Sequence, residues 1–105
     1  MKYVKTAWLA VPALAVALVA QAHNAICSCF DNDDGTITCE GGFSDGASAA
    51  GVPIRVFDQA GKVLLEGKLG KQGDFRFTRP AVPFRVEMHA GEGHVVRIDG
   101  RDIEK

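Results

Sequence analysis

Wide aromatic surface is nearly absent from this chain. Its single tryptophan and single tyrosine, Trp8 and Tyr3, both fall at the very start, and beyond them only phenylalanine and histidine carry rings. A stacking platform for sugars or bases is therefore not expected. Positive charge is also scarce: without Lys2 and Lys5, the 12 basic residues fall to 10 against 13 acidic ones, a net charge of −3 with histidines neutral. No basic stripe exists to follow a phosphate backbone or an anionic membrane, which excludes nucleic acid as a partner. The longest apolar run, from Ala7 to Ala20, is 14 residues, shorter than the roughly 20 needed to span a bilayer. The serines Ser28, Ser44 and Ser48 lack a Gly-x-Ser-x-Gly setting. Cys27-Ser28-Cys29 is not the Cys-x-x-Cys of a thioredoxin-like redox pair. No catalytic set assembles, so the chain is not expected to be an enzyme or to hold an organic cofactor.

What is present begins with a sorting signal. Lys2 and Lys5 form a positive start, residues 7–20 an apolar centre, and Ala20-Gln21-Ala22 a small-x-small cleavage pattern. That order is expected of a helical secretory signal peptide over residues 1–22, removed on export. One domain, residues 23–105, would remain, periplasmic or secreted and not membrane-spanning. Residues 24–26, Asn-Ala-Ile, are not the Leu and small residues of a lipoprotein signal, so Cys27 is not read as a lipidated first residue. So short a domain has a marginal core and gains from a disulfide or a metal.

Cleavage after Ala22 would leave His23 as the first residue, and its α-amine and imidazole form a two-nitrogen chelate. The three cysteines, Cys27, Cys29 and Cys39, would then enter an oxidising compartment. An odd count implies one disulfide and one leftover thiol, or a three-thiolate metal site. Residues 31–35, Asp-Asn-Asp-Asp-Gly, form a turn cluster between an apolar run at 26–30 and an alternating β-branched run at 36–40, which together read as a hairpin. A loop closing over residues 31–35 sets Cys27 opposite Cys39; a shift by two sets Cys29 opposite Cys39. Either register puts all three sulfurs on one face, and opposed strand positions overlap disulfide geometry. A two-residue Asp34-Gly35 turn would break the cluster. The acidic run is not an EF-hand: with Gly35 at the sixth position, Phe30 would stand at the first and a glycine at the last. It reads as turn chemistry.

Thiolates select Cu(I) and Zn(II), and Ni(II) when amine and imidazole join them. From His23 to Cys27 is four residues, at most about 14 Å, so His23, Cys27, Cys29 and Cys39 form a reachable mixed nitrogen and sulfur set. His89 and His94 bracket Ala90-Gly91-Glu92-Gly93 and are expected opposite each other across a hairpin, a second borderline-metal pair with Glu92 at its tip.

The remaining pattern has period two. Strands are expected at 53–58, 62–67, 74–78, 83–89 and 94–99, each bounded by glycine or proline, with no helix after residue 22. With the first hairpin these make seven strands, an all-β, small seven-stranded antiparallel sandwich of prealbumin or immunoglobulin type. The expected core is Ile54, Val56, Val63, Leu65, Phe75, Phe77, Phe84, Val86, Val96 and Ile98.

Residues 52–98 run strand, Asp58-x-x-Gly61, strand, Gly67, then Gly73-x-Phe75-x-Phe77, Pro80 and a final alternating strand. This layout resembles the carboxypeptidase regulatory-domain-like, or prealbumin-like, sandwich, and the resemblance implies a non-enzymatic module. Ala90-Gly91-Glu92-Gly93-His94-Val95-Val96 resembles a stretch of exported accessory proteins of nickel and cobalt uptake. The cysteine hairpin is not part of either resemblance. Together they imply an exported metal-binding or metal-handling module, accessory to uptake or delivery of Ni, Co or Cu, with Zn also admissible, and partnered by a membrane transporter component. The alternative is a disulfide-stapled structural or interaction module with no metal role.

Overall fold

The computed structural model describes residues 24–104; the expected signal segment and His23 lie outside the described residues. All seven expected strands are present: β1 (Ala25–Asp31), β2 (Thr36–Phe43), β3 (Pro53–Asp58), β4 (Val63–Lys68), β5 (Asp74–Thr78), β6 (Phe84–His89) and β7 (Val95–Asp99). They form two antiparallel sheets, one ordered β1-β2-β5 and the other β4-β3-β6-β7. The chain is a β-sandwich of three strands against four.

Alternation drives this arrangement. In β3, Ile54 and Val56 turn inward and are fully buried, while Arg55 between them faces out. In β6, Phe84, Val86 and Met88 do the same against outward Arg85, Glu87 and His89. The small sheet answers with Ile37 and Cys39 from its central strand β2 and Phe77 from β5. Successive strand residues point to opposite faces, so each strand delivers every second side chain to the core.

The expected core is partly corrected. Val63 and Leu65 are 43% and 38% exposed. Both sit on β4, the edge of the four-stranded sheet, which the narrower three-stranded sheet does not cover. The register also shifts between Val56 and Phe57 where β3 meets β4. Phe75, Val96 and Ile98 pack against the core without full burial. Ile37, Cys39, Ala49, Leu69, Met88 and Ile103 complete it. Two of these, Ala49 and Leu69, come from connections, where period-two counting has no purchase.

The two ends of the sandwich differ. At one end Arg79 N–H donates to Gly35 O at 2.9 Å and Asp31 N–H to Glu104 O at 2.8 Å. The Arg79 guanidinium reaches Asp31 Oδ2 at 2.8 Å and Gly100 O at 3.2 Å, and lies 5.5 Å from the Phe84 ring centroid. At the other end Ser44 N–H donates to Asn24 O at 2.9 Å and Gly41 N–H to Gly73 O at 2.8 Å. The β6–β7 turn falls at this second end, because β6 runs antiparallel to β3.

Gly41 marks a tight point of packing between the sheets. A Cβ there would stand 2.5 Å from Met88 Sδ and 2.6 Å from Leu69 Cδ1, and both of those side chains are buried. Overpacking of this kind costs about 1–3 kcal/mol. Gly41→Ala is expected to lower the unfolding free energy by that amount, read as a lower urea midpoint with an unchanged m-value; an unaltered midpoint would contradict the packing described.

Candidate functional site

The cysteine hairpin is built by its turn. Asp33 and Gly35 adopt φ of 68° and 89°, the left-handed backbone that Asp tolerates and Gly adopts freely. Asp31 Oδ1 accepts from Asp33 N–H at 2.7 Å, and Asn32 Nδ2 donates to the hydroxyls of Thr36 and Thr38 at 2.9 and 2.8 Å. Asp34 accepts from both the hydroxyl and the amide of Thr36 and from Arg76. The Thr36 hydroxyl, then its amide, hold the Asp34 carboxyl below its usual range, with Arg76 adding to the effect. Asn32 N–H closes the loop on Thr36 O at 2.9 Å.

This five-residue loop sets the pairing Asp31↔Ile37, Cys29↔Cys39 and Cys27↔Gly41. The three sulfurs therefore share the inner face, and of the two odd-loop registers it is the shifted one that forms. Cys29 and Cys39 are joined in a disulfide with S–S 1.99 Å. Cys39 is fully buried and Cys29 packs beside it. Cys27 is a free thiol packed against the core. Burial raises its pKa to about 11, so at neutral pH it is protonated, and neither a nucleophile nor a ready metal ligand.

The histidine turn also departs from expectation. The register pairs His89 with Val95 rather than His94. Ala90 N–H donates to His94 O, and His94 N–H donates to Gly91 O. This one-residue offset follows from Gly91 and Gly93, both at positive φ, which tighten the turn. His94 and Glu92 are exposed. His89 instead lies in a charge cluster on the outer face of the four-stranded sheet. Its Nε2 is 3.2 Å from Glu87 Oε1, while Glu87 Oε2 accepts from Arg85 Nε at 2.7 Å and Arg97 Nε at 3.3 Å. Two guanidinium groups on the same carboxylate repel a cation at that nitrogen. Among the described residues, no group of three or more His, Cys, Asp or Glu side chains is arranged to hold a metal ion.

Sequence reasoning passed over Glu87. It is 5% exposed yet faces outward, roofed by its neighbours. Adjacent strands set Glu66, Arg55, Glu87 and Arg97 in one cross-strand row of alternating sign. The alternation of acid and base along 85–89 and the arginine in the last strand carried that signal, but strand order was needed to read it. Also unforeseen is an open apolar cleft between β4 and β5, lined by Leu64, Leu65, Phe75, Phe77 and Val82.

No family model, curated protein or solved structure matches the chain.

Two expectations follow. Cys29 and Cys39 close a loop of 10 residues in sequence separation, and a disulfide over so short a loop stabilises by about 2–3 kcal/mol. Paired Cys29→Ser and Cys39→Ser substitutions are expected to lower unfolding free energy by that amount, measured by urea denaturation without reductant. For Glu87, burial alone would raise the carboxyl pKa, but the Arg85 hydrogen bond and charge, with Arg97 and His89, outweigh it and lower it. A carboxylate depressed in the fold contributes stability above its unfolded pKa, roughly 4.3, and that contribution is lost as pH falls through the folded value. Glu87→Gln is expected to cost about 1–3 kcal/mol at neutral pH and to flatten the acid side of the stability profile. Parallel profiles for both proteins would show that Glu87 carries no such linkage.

Proposed function

We propose that this chain is an exported, non-enzymatic β-sandwich module, stapled by one internal disulfide, that works by docking a partner in the periplasm or outside the cell. The observation that carries this reading is the Cys29–Cys39 bond inside the core. Such a bond is kept in oxidising compartments and gives a small domain the stability its core lacks. The third sulfur is half-buried against the core and protonated, so the odd cysteine adds packing rather than reactivity. The prealbumin-like strand layout of residues 52–98 supports an accessory role, and the 90–96 stretch supports a membrane transporter component of metal uptake as the partner.

A second reading keeps the metal. It is favoured by one placement: β1 ends beside the segment that follows β7, and the two strands pack together. Both therefore start at the opposite end, where the chain enters at Asn24 and His94 precedes β7. His94 at that end, together with the amine and imidazole of His23, which lies outside the described residues, would be the nitrogen donors offered to Ni, Co or Cu. In this version the cysteines serve as the staple and His89 serves Glu87.

One preparation separates the readings. Protein exported and processed to begin at His23 is expected to give one free thiol, labelled only after denaturation, and to fold without metal. Three free thiols in freshly isolated protein would overturn the staple and restore a cysteine site. Titration with Ni(II) and Cu(II) then decides the second reading. Binding near micromolar that is lost when methionine precedes His23, and weakened by His94→Ala, would favour it; no uptake would remove it.

A further inference from the structure

The sandwich is closed on one side and open on the other. β1 and β7 are edge strands that pack together. β4 and β5 are the opposite edges, each paired to one neighbour only. Toward one end Phe75 bridges them: its ring lies against Gly67, where a Cβ would stand 2.6 Å from Phe75 Cε1. Toward the other end the edges part, leaving a cleft of about 530 Å³ floored by Leu64, Leu65, Phe77 and Val82. Of the large apolar side chains left exposed, Val63, Leu65 and Val82, the last at 49%, gather at this side.

An unpaired strand edge invites another strand, and natural edges are blunted by lysine, proline or a bulge. β4 carries some of them: Lys62 and Lys68 bracket it, and its register breaks at Leu64, between the partners of Val56 and Phe57. The stretch from Leu65 to Gly67 carries no lysine, proline or bulge.

The charge around the cleft selects the occupant. No carboxylate lines it. Its two arginines, Arg76 and Arg79, are already matched by Asp34 and Asp31, and Glu66 on β4 is engaged by Arg55 at 3.1 Å. Exposed Lys62 and Lys68 stand at the two ends of β4, outside the cleft lining, on a chain that is net negative. We infer that the β4–β5 cleft seats an extended apolar segment of a partner protein, flanked by acidic residues and laid along β4 as an added strand. Main-chain hydrogen bonds to the β4 edge would supply affinity, and alternate apolar side chains entering the cleft would supply specificity. The flanking acids would meet Lys62 and Lys68. This deepens the docking reading above and rests on it.

The test uses the processed protein and a fluorescent seven-residue peptide, glutamate at both ends with alternating valine and threonine between. Anisotropy is expected to show saturable binding that weakens about tenfold or more with Val82→Asp. Val82 is half-exposed on a connection, so this variant should keep its urea midpoint, which is measured alongside. Lys62→Glu with Lys68→Glu is expected to reject this peptide and accept a lysine-flanked one. Absence of saturable binding, equal binding of both peptides by the unaltered protein, or indifference to Val82→Asp would overturn the inference. So would a concentration-dependent dimer abolished by Val82→Asp, which would give the cleft to a second copy. Any of these with one free thiol still counted leaves the stapled-module reading intact; three free thiols fail that reading whatever the peptide does.

Discussion

The pairing of β1 with β2 is the constraint on which the rest of this molecule depends. A strand side chain points one way or the other, so a shift of one residue would turn every inner group outward. The loop from Asn32 to Thr36 removes that freedom. Asp31, Asn32 and Asp34 each bind backbone or hydroxyl partners within the turn, and the left-handed residues Asp33 and Gly35 complete it. Cys29 then meets Cys39, Ile37 enters the core, and Gly41 arrives where Met88 and Leu69 need room. The disulfide makes permanent a register that the turn has already chosen.

Unequal sheets account for much of the remainder. Three strands cannot cover four, so one edge of the larger sheet keeps apolar residues only half sheltered. The same inequality explains why Leu65 faces the core side but is not in the core. On the outer face of the larger sheet, burial comes from side chains instead of a second layer. Glu87 is covered by the arginines that bind it, with Arg85 also lying 4.6 Å from the Phe57 ring centroid. Charge there is organised laterally, strand to strand, rather than through the core.

The strands were legible because period two, β-branched residues and glycine breaks act locally. Each of the seven follows from its own few residues, and so does the two-sheet outcome. The alternatives for Cys39 were legible as well, since both came from counting around one turn. What was not legible depended on neighbours distant in sequence. Ala49 and Leu69 are core residues because other segments close over them. Val63 and Leu65 are exposed because of strand order. Spacing alone sets His89 opposite His94, but Gly91 and Gly93 offset the turn by one residue, and Glu87, two positions back, lies 3.2 Å from its Nε2. A histidine's role is set by its strongest neighbour, and sequence spacing alone did not identify that neighbour.

Arg79 brings together segments far apart in the chain: the hairpin turn through Gly35 and Asp31, the final residues through Gly100, and the Phe84 ring. One side chain thus touches the first hairpin, the segment after β7 and the core at once. Backbone bonds from Arg79 to Gly35 and from Asp31 to Glu104 hold the same segments. The other end is held by separate backbone bonds at Asn24, Gly73 and His94. A single substitution at Arg79 therefore reaches several segments at one end, whereas no one side chain does so among the bonds described at the other.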